Sequence, residues 1–196
     1  MRKKIGLLGG TFDPVHYGHL LAAQAAREAV GLDEVWFVPT NSPPHKPQPS
    51  AGAQRRFEML RAAIADHPGF RIEDVELRKD GTSYTVDTVA ELQSLHPGAD
   101  FYWIVGSDMV LDLPNWRRIE ELAERVVFIG LERPDRPSDD GSLPGFIRDR
   151  LIRAEMPAMG LSSTDIRNRI KLGLSVKYRL PDAVIDYLQR NGLYES

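Results

Sequence analysis

The segment Gly9-Gly10-Thr11-Phe12-Asp13-Pro14-Val15-His16-Tyr17-Gly18-His19-Leu20 carries the densest chemistry in the chain. It lies between a short apolar run and an Ala-rich stretch of helical period, so it reads as a strand-to-helix turn. Glycines there let the backbone approach a ligand, and the free N–H groups of a helix start suit anionic oxygens. No Gly-Lys-Ser/Thr follows, which excludes a Walker A loop, and the spacing is not Gly-x-Gly-x-x-Gly. Two imidazoles take the place of the lysine. His16 and His19, three apart at a helix start, can face one point and donate N–H bonds to phosphate oxygens while the helix end adds partial positive charge. An isolated His-x-x-His pair is more often two core or surface histidines, or half of a metal site. The strand, Gly-Gly, Thr, helix setting favours the anion reading. A structural zinc site lacks further ligands, because the chain has no cysteine and His45, His67 and His96 are scattered. No protein-held metal is therefore expected.

Three further groups suit the same chemistry. Ser162-Ser163-Thr164-Asp165-Ile166-Arg167 has capping-box spacing between Ser162 and Asp165, with Arg167 placed to grip a phosphate; a capped helix with surface arginines is the plainer reading. Asn41-Ser42-Pro43-Pro44-His45-Lys46 puts a lysine on a stiff proline loop, either a phosphate clamp or a solvated side chain. Arg55 and Arg56 open the next helix, and one assists or both face solvent. After an apolar strand, Gly106 permits close approach, Asp108 can accept ribose hydroxyl protons, and Trp116 can stack on a planar ring. A strand-ending turn plus a half-buried tryptophan is the alternative.

The elements that must position these residues follow from periodicity. Strands are predicted at Ile5–Leu8, Val35–Val38, Phe70–Leu77, Phe101–Val105, Val126–Ile129 and Glu155–Met159. Helices are predicted at Leu20–Val30, Ala53–Asp66, Thr85–Leu95, Ile119–Ala123, Thr164–Lys171 and Pro181–Asn191, with one or two helical turns over Ile147–Arg153. Strands alternating with helices imply right-handed βαβ units, a parallel sheet and an α/β fold. Such sheets bind ligands at the carboxyl ends of their strands, which places Gly9–His19, Thr40–Gly52, Arg78–Thr85 and Gly106–Trp116 on one side. Pro39–Pro49 and Glu132–Gly145 break the rhythm as Pro-rich excursions.

Composition narrows the function classes. The 196 residues fit one domain of 1–196, with a core of about 1–160 and a C-terminal helical part of about 161–196. A formal net charge of −3 weakens any nucleic-acid binder that works through a basic face. The absence of cysteine excludes a disulfide scaffold, a thiolate metal site and a cysteine nucleophile. Apolar runs of a few residues fall far short of the ~18 that span a bilayer, and no signal-peptide core is present. A cytoplasmic protein with no membrane and no nucleic-acid partner is expected. Monomer and homo-oligomer both stay open.

The Thr-Phe-Asp-Pro-x-His-x-Gly-His stretch resembles the signature of the nucleotidyltransferase superfamily, and Gly9-Gly10 with a histidine at 16 looks most like its bacterial nicotinate-nucleotide adenylyltransferase branch. Pro43-Pro44-His45-Lys46 and Leu161-Ser162-Ser163-Thr164-Asp165-Ile166-Arg167 are similar to segments of that branch, so the likeness runs from Ile5 to about Leu172. It implies a Rossmann-like doubly wound parallel sheet with a small C-terminal helical part. It implies ATP contacts from Gly9, Gly10, Thr11, Phe12, His16, His19, Gly106, Asp108, Ser162, Ser163, Thr164 and Arg167. It implies that Lys46 contacts phosphates, that Thr85 holds the nicotinate end and that Trp116 stacks on the pyridine. Two positions depart from the pattern: Leu161 where isoleucine is commoner, and Arg117 where some relatives carry an aromatic.

The expected reaction joins ATP and nicotinate mononucleotide into nicotinate adenine dinucleotide and pyrophosphate. A phosphate monoester has a second pKa of about 6, so it attacks without a general base. His16, His19, Lys46 and Arg167 would be catalytic by aligning reactants and offsetting charge, with Mg²⁺ bridging phosphate oxygens and Asp13 near enough in sequence to order its waters. The alternatives are the same chemistry on nicotinamide mononucleotide or another phosphorylated acceptor, and a catalytically silent nucleotide sensor.

Overall fold

The computed structural model describes residues 2–41, 48–79, 81–132 and 140–195. Six strands form one sheet: β1 (Lys3–Gly10), β2 (Glu34–Pro39), β3 (Phe70–Ile72), β4 (Ala99–Gly106), β5 (Val127–Glu132) and β6 (Leu151–Glu155), in the order β3-β2-β1-β4-β5-β6. The chain winds outward through β2 and β3, returns to β4 beside β1, and continues to β5 and β6. This is the doubly wound, Rossmann-like arrangement that the family resemblance implies, on the α/β sheet that the alternating pattern predicts. The order reverses between β1 and β4, and the segments leaving those two strands begin at Thr11 and Ser107.

Backbone contacts divide the chain into two compact units. One comprises Met1–Leu8, Leu21–Trp36 and Ser83–Ala158. There β1, β4, β5 and β6 pair in parallel, with Ile5 opposite Phe101, Ile104 opposite Ile129 and Ile129 opposite Ile152. Helix α3 (Thr85–Leu95) packs on α5 (Ile119–Arg125) through Val86, Val89, Leu92 and Leu122. Strands β1, β4 and β5 are buried on both faces, which is why they read as continuous apolar runs rather than alternating ones.

The second unit comprises Gly9–Leu20, Phe37–Thr82 and Met159–Ser196. It holds the carboxyl ends of β1 and β2, β3, the start of α1 (Tyr17–Val30), and the helices α2 (Ala53–Ile64), α7 (Ser163–Lys171) and α8 (Asp182–Arg190). Its core sets Phe12 tilted against Phe37 and Phe37 edge-on to Phe70 at centroid distances of 5.7 and 5.3 Å, with α2 packed on α8 and β3.

Three predicted elements are corrected. The strand expected over Phe70–Leu77 stops at Ile72, because the Asp74 carbonyl accepts turn bonds from Leu77 and Arg78. The helical turns expected over Ile147–Arg153 are α6 (Gly145–Arg148), and the strand expected at Glu155–Met159 is instead β6, four residues earlier. Ile147 and Leu151 have helical spacing, but a turn followed by an edge strand buries Ile147 and half-buries Leu151. A one-turn helix, α4 (Ser107–Val110), follows β4 without a periodic signal. Among the described residues, no helix is long and apolar enough to cross a membrane.

Candidate active site

The turn after β1 is built around a phenylalanine. Phe12 has φ +50, and its buried ring lies so close under Gly10 that a Cβ there would meet Cζ at 2.9 Å. The Phe12 ring meets His19 edge-on at 5.0 Å. His16 and His19 stack, with centroids 3.8 Å apart and planes 23° from parallel. The His16 backbone N–H donates to His19 Nδ1 at 3.2 Å, and His19 N–H donates to the His16 carbonyl at 2.9 Å. Accepting that bond leaves the His19 proton on Nε2.

The two rings differ in environment. His16 is 6% exposed, and among the described residues its Nδ1 has no hydrogen-bond partner. Desolvation lowers its pKa to about 4, against a partly opposing backbone hydrogen bond. It is therefore neutral at pH 7. His19 is partly exposed. Gly18 fits closely beside this pair: a Cβ there would lie 3.0 Å from both Cε1 and Nδ1 of His16, so the ring would have to give way.

Helix α7 is clipped onto this turn. Ser162 caps it by accepting the Asp165 N–H at 3.1 Å, as the spacing predicts. Ser163 Oγ donates to the Pro14 carbonyl at 2.9 Å, and Arg167 Nη1 donates to the Asp13 carbonyl at 2.7 Å. Arg167 Nη2 reaches Thr164 Oγ1 at 3.3 Å. These two bonds use two of the five guanidinium donors and leave three for a ligand. One unit thus gathers Gly9, Gly10, Thr11, Phe12, His16, His19, Ser162, Ser163, Thr164 and Arg167.

The other unit carries the remaining candidates. Gly106 precedes α4, and no atom lies within 4 Å of a Cβ built on it, so its approach is open. Asp108 is exposed in the first turn of α4. Thr85 opens α3 after Tyr84. Trp116 is half-buried and edge-on to Trp103 at 6.4 Å, and the Arg117 guanidinium lies 4.3 Å over the Tyr84 ring. Lys46 and His45 lie outside the described residues.

A family model described as cytidylyltransferase-like matches residues 7–169. A probable nicotinate-nucleotide adenylyltransferase of Oceanobacillus iheyensis is 45% identical over 98% of this chain and 97% of its own length. Its counterpart in Bacillus pumilus is 47% identical over 99% and 100%. The chain belongs to the nicotinate-nucleotide adenylyltransferase family. The adenylyltransferase is therefore a nucleotidyltransferase, as its histidine motif leads one to expect. Its fold is also that of the Plasmodium falciparum nicotinic acid mononucleotide adenylyltransferase, solved in complexes with APC and with NaAD. That match has a TM-score of 0.80 and 22% identity, and covers 98% of both chains.

Sequence reasoning assigned two polar side chains of the adenylyltransferase, Asp13 and Arg56, other roles than the structure does, and missed a third, Tyr194. Asp13 is 4% exposed; its Oδ2 accepts Ser50 N–H at 2.7 Å, and its Oδ1 accepts Ala51 N–H at 3.0 Å and the Tyr194 hydroxyl at 2.5 Å. Both oxygens are committed inside the protein, which corrects the expectation that Asp13 orders magnesium waters. Arg56 does not face solvent: it is 1% exposed and donates to the carbonyls of Ala51, Thr11, Thr40 and Asn41. Burial lowers its pKa, while the charge of the Asp13 carboxylate opposes the shift. One sequence signal marks it: Arg56 shares a helical stripe with Met59, Leu60, Ala63 and Ile64, all buried, whereas Arg55 does not. Tyr194 had no such signal.

Proposed function

We propose that this adenylyltransferase moves the adenylyl group of ATP onto nicotinate mononucleotide. A 5′-phosphate oxygen of the mononucleotide forms a bond to the α-phosphorus, the bond to the β-phosphate oxygen breaks, and pyrophosphate leaves with its electron pair. The attacking phosphate is already a dianion near neutral pH, its second pKa being about 6, so no general base or covalent intermediate is needed. The protein's work is alignment, worth about 7–11 kcal/mol in favourable cases, and compensation of anionic repulsion.

The observation that carries this reading is the tautomer lock within the histidine stack. His19 Nε2–H is the donor for the α- and β-phosphates. His16, neutral and buried, fixes the orientation of His19 and stands under the same oxygens. Arg167 and Lys46 take the outer phosphates, while backbone at Gly9, Gly10, Thr11 and Phe12 and the polar groups of Ser162, Ser163 and Thr164 line the ATP. Gly106 and Asp108 serve the adenosine, and Thr85 and Trp116 serve the pyridine. Mg²⁺ enters as MgATP: among the described residues no three His, Asp or Glu side chains form a metal site, and this ion keeps waters when phosphates hold it. A cytoplasmic place in pyridine nucleotide synthesis belongs to the same reading. The open approach at Gly106 and the Arg117 cation over Tyr84 support it in the other unit.

The test is pyrophosphate release from MgATP with nicotinate mononucleotide and nicotinamide mononucleotide in competition, with CTP and a phosphorylated alcohol as controls. Faster release with ATP and the acid acceptor is expected. Preference for the amide, or ATP binding with no pyrophosphate from any acceptor, overturns the proposal.

A further inference from the structure

We propose that Tyr194 is a positioning residue for the polyphosphate site: by occupying the Asp13 carboxylate it keeps the Arg167 guanidinium available to ATP. The inference rests on the functional reading of Arg167 given above. Tyr194 follows α8, is buried, and adopts φ +67, a left-handed conformation uncommon for a bulky residue. Its hydroxyl donates to Asp13 Oδ1 at 2.5 Å. Burial and the adjacent carboxylate hold the phenol above its ordinary range, so it stays a donor at working pH.

Asp13 faces two claimants. Its carboxylate accepts from Tyr194, Ser50 and Ala51, while Arg167 Nη1 stands 3.8 Å from Oδ2 and bonds the Asp13 carbonyl instead. Removing the phenol frees acceptor capacity on Oδ1 and lets the carboxylate turn toward a guanidinium that already stands within ion-pair distance of Oδ2. The fork then turns from the ligand toward the carboxylate, since charge-assisted bidentate pairing is the strongest contact open to it. Thr11, Asp13 and Pro14 also hold Arg56, Arg167 and Ser163 through their carbonyls, so a shift at Asp13 moves the chain that carries His16.

The experiment compares wild type, Tyr194→Phe, Arg167→Ala and the double variant. The dissociation constant for MgATP is measured by calorimetry at 15 °C, and kcat and KM are measured where turnover is present. Tyr194→Phe is expected to weaken ATP binding about tenfold in the Arg167 background and less than about twofold in the Arg167→Ala background, the non-additivity of groups that act together. Equal losses in both backgrounds, or no loss in the single variant, overturn the proposal. Should the wild type bind ATP but turn over no acceptor, the functional reading fails while the binding cycle still decides the role of Tyr194. If Tyr194→Phe does not fold, the Tyr194 Cζ resonance of ¹³C-tyrosine-labelled wild type takes its place. A shift on adding a nonhydrolysable ATP analogue supports the proposal, and an unmoved signal refutes it.

Discussion

Acidification should destabilise the protein through His16 in a window that its burial defines. Free histidine titrates near 6.5, whereas His16 stays neutral in the folded chain down to about 4. Between those values the unfolded chain holds one more proton than the folded one, so stability rises with pH there. The contribution is complete above 6.5, declines below it, and is gone beneath about 4. At about 1.36 kcal/mol per pH unit, the interval is worth roughly 3 kcal/mol, a large share of a typical stability of about 5–15 kcal/mol. Carboxylates titrate in the lower part of the same range, so the measurement is a difference. Urea unfolding at steps from pH 4 to 7.5 is compared for wild type and His16→Asn, which has no titrating ring. The wild-type curve should be steeper by up to about 1.4 kcal/mol per pH unit between 4.5 and 6. Parallel curves, or an imidazole resonance of His16 moving with a midpoint near 6.5, would refute the claim that this ring is sealed and neutral.

Two substitutions probe the same stack from either side. His19→Ala removes the Nε2 donor and the acceptor of the His16 N–H; turnover should fall at least about a hundredfold, the cost of about 2.7–4 kcal/mol seen for one lost charge-compensating donor, with the melting curve still cooperative. Near-normal turnover would reject the assigned role. Gly18→Ala places a methyl 3.0 Å from two atoms of the His16 ring, which is pinned by its stack on His19. Helix propensity alone favours alanine by roughly 1 kcal/mol, so a net loss in melting temperature and turnover, reflecting a strain of about 1–3 kcal/mol, marks the ring as unable to yield; a gain in both would show that it moves freely.

What could be read beforehand divides by range. Strands β1, β4 and β5 are buried on both faces, so their apolar runs announce them, and Ser162 reveals its cap because capping is a local bond across three residues. The edge strand β6 is half exposed and carries Arg153 and Glu155. Burial imposes little pattern on it, and its residues fit a helical spacing as well. Asp13, Arg56 and Tyr194 sit at the other extreme. Asp13 and Arg56 bond backbone amides and carbonyls up to 45 residues away, and such a bond leaves no trace in the partner's side chain, while Tyr194 bonds a carboxylate 181 residues away. Only the company of Arg56 on an apolar stripe betrays its burial.

The charges in this unit explain how a chain of net charge −3 can offer a site for a polyanion. Sealing Arg56 in the interior costs several kcal/mol on the order of a buried ion's desolvation, and four neutral carbonyls do not cancel its charge. Asp13 does, from within the same cluster, and its hydrogen bonds come from two amides and a phenol, with Arg167 Nη1 only at the 3.8 Å margin of ion-pair distance. With that pair balanced, Arg167 is the surplus positive charge, and its side chain is 23% exposed. The imidazoles add donors without adding a second fixed charge, since His16 is neutral. Local arrangement, not overall charge, thus sets the sign of the potential, and in the proposed reading a triphosphate would meet a site biased toward it by a guanidinium, a helix start and an oriented N–H. Were Asp13 free to pair with Arg167, that bias would vanish. The buried phenol that keeps the carboxylate occupied therefore matters to binding as much as to folding.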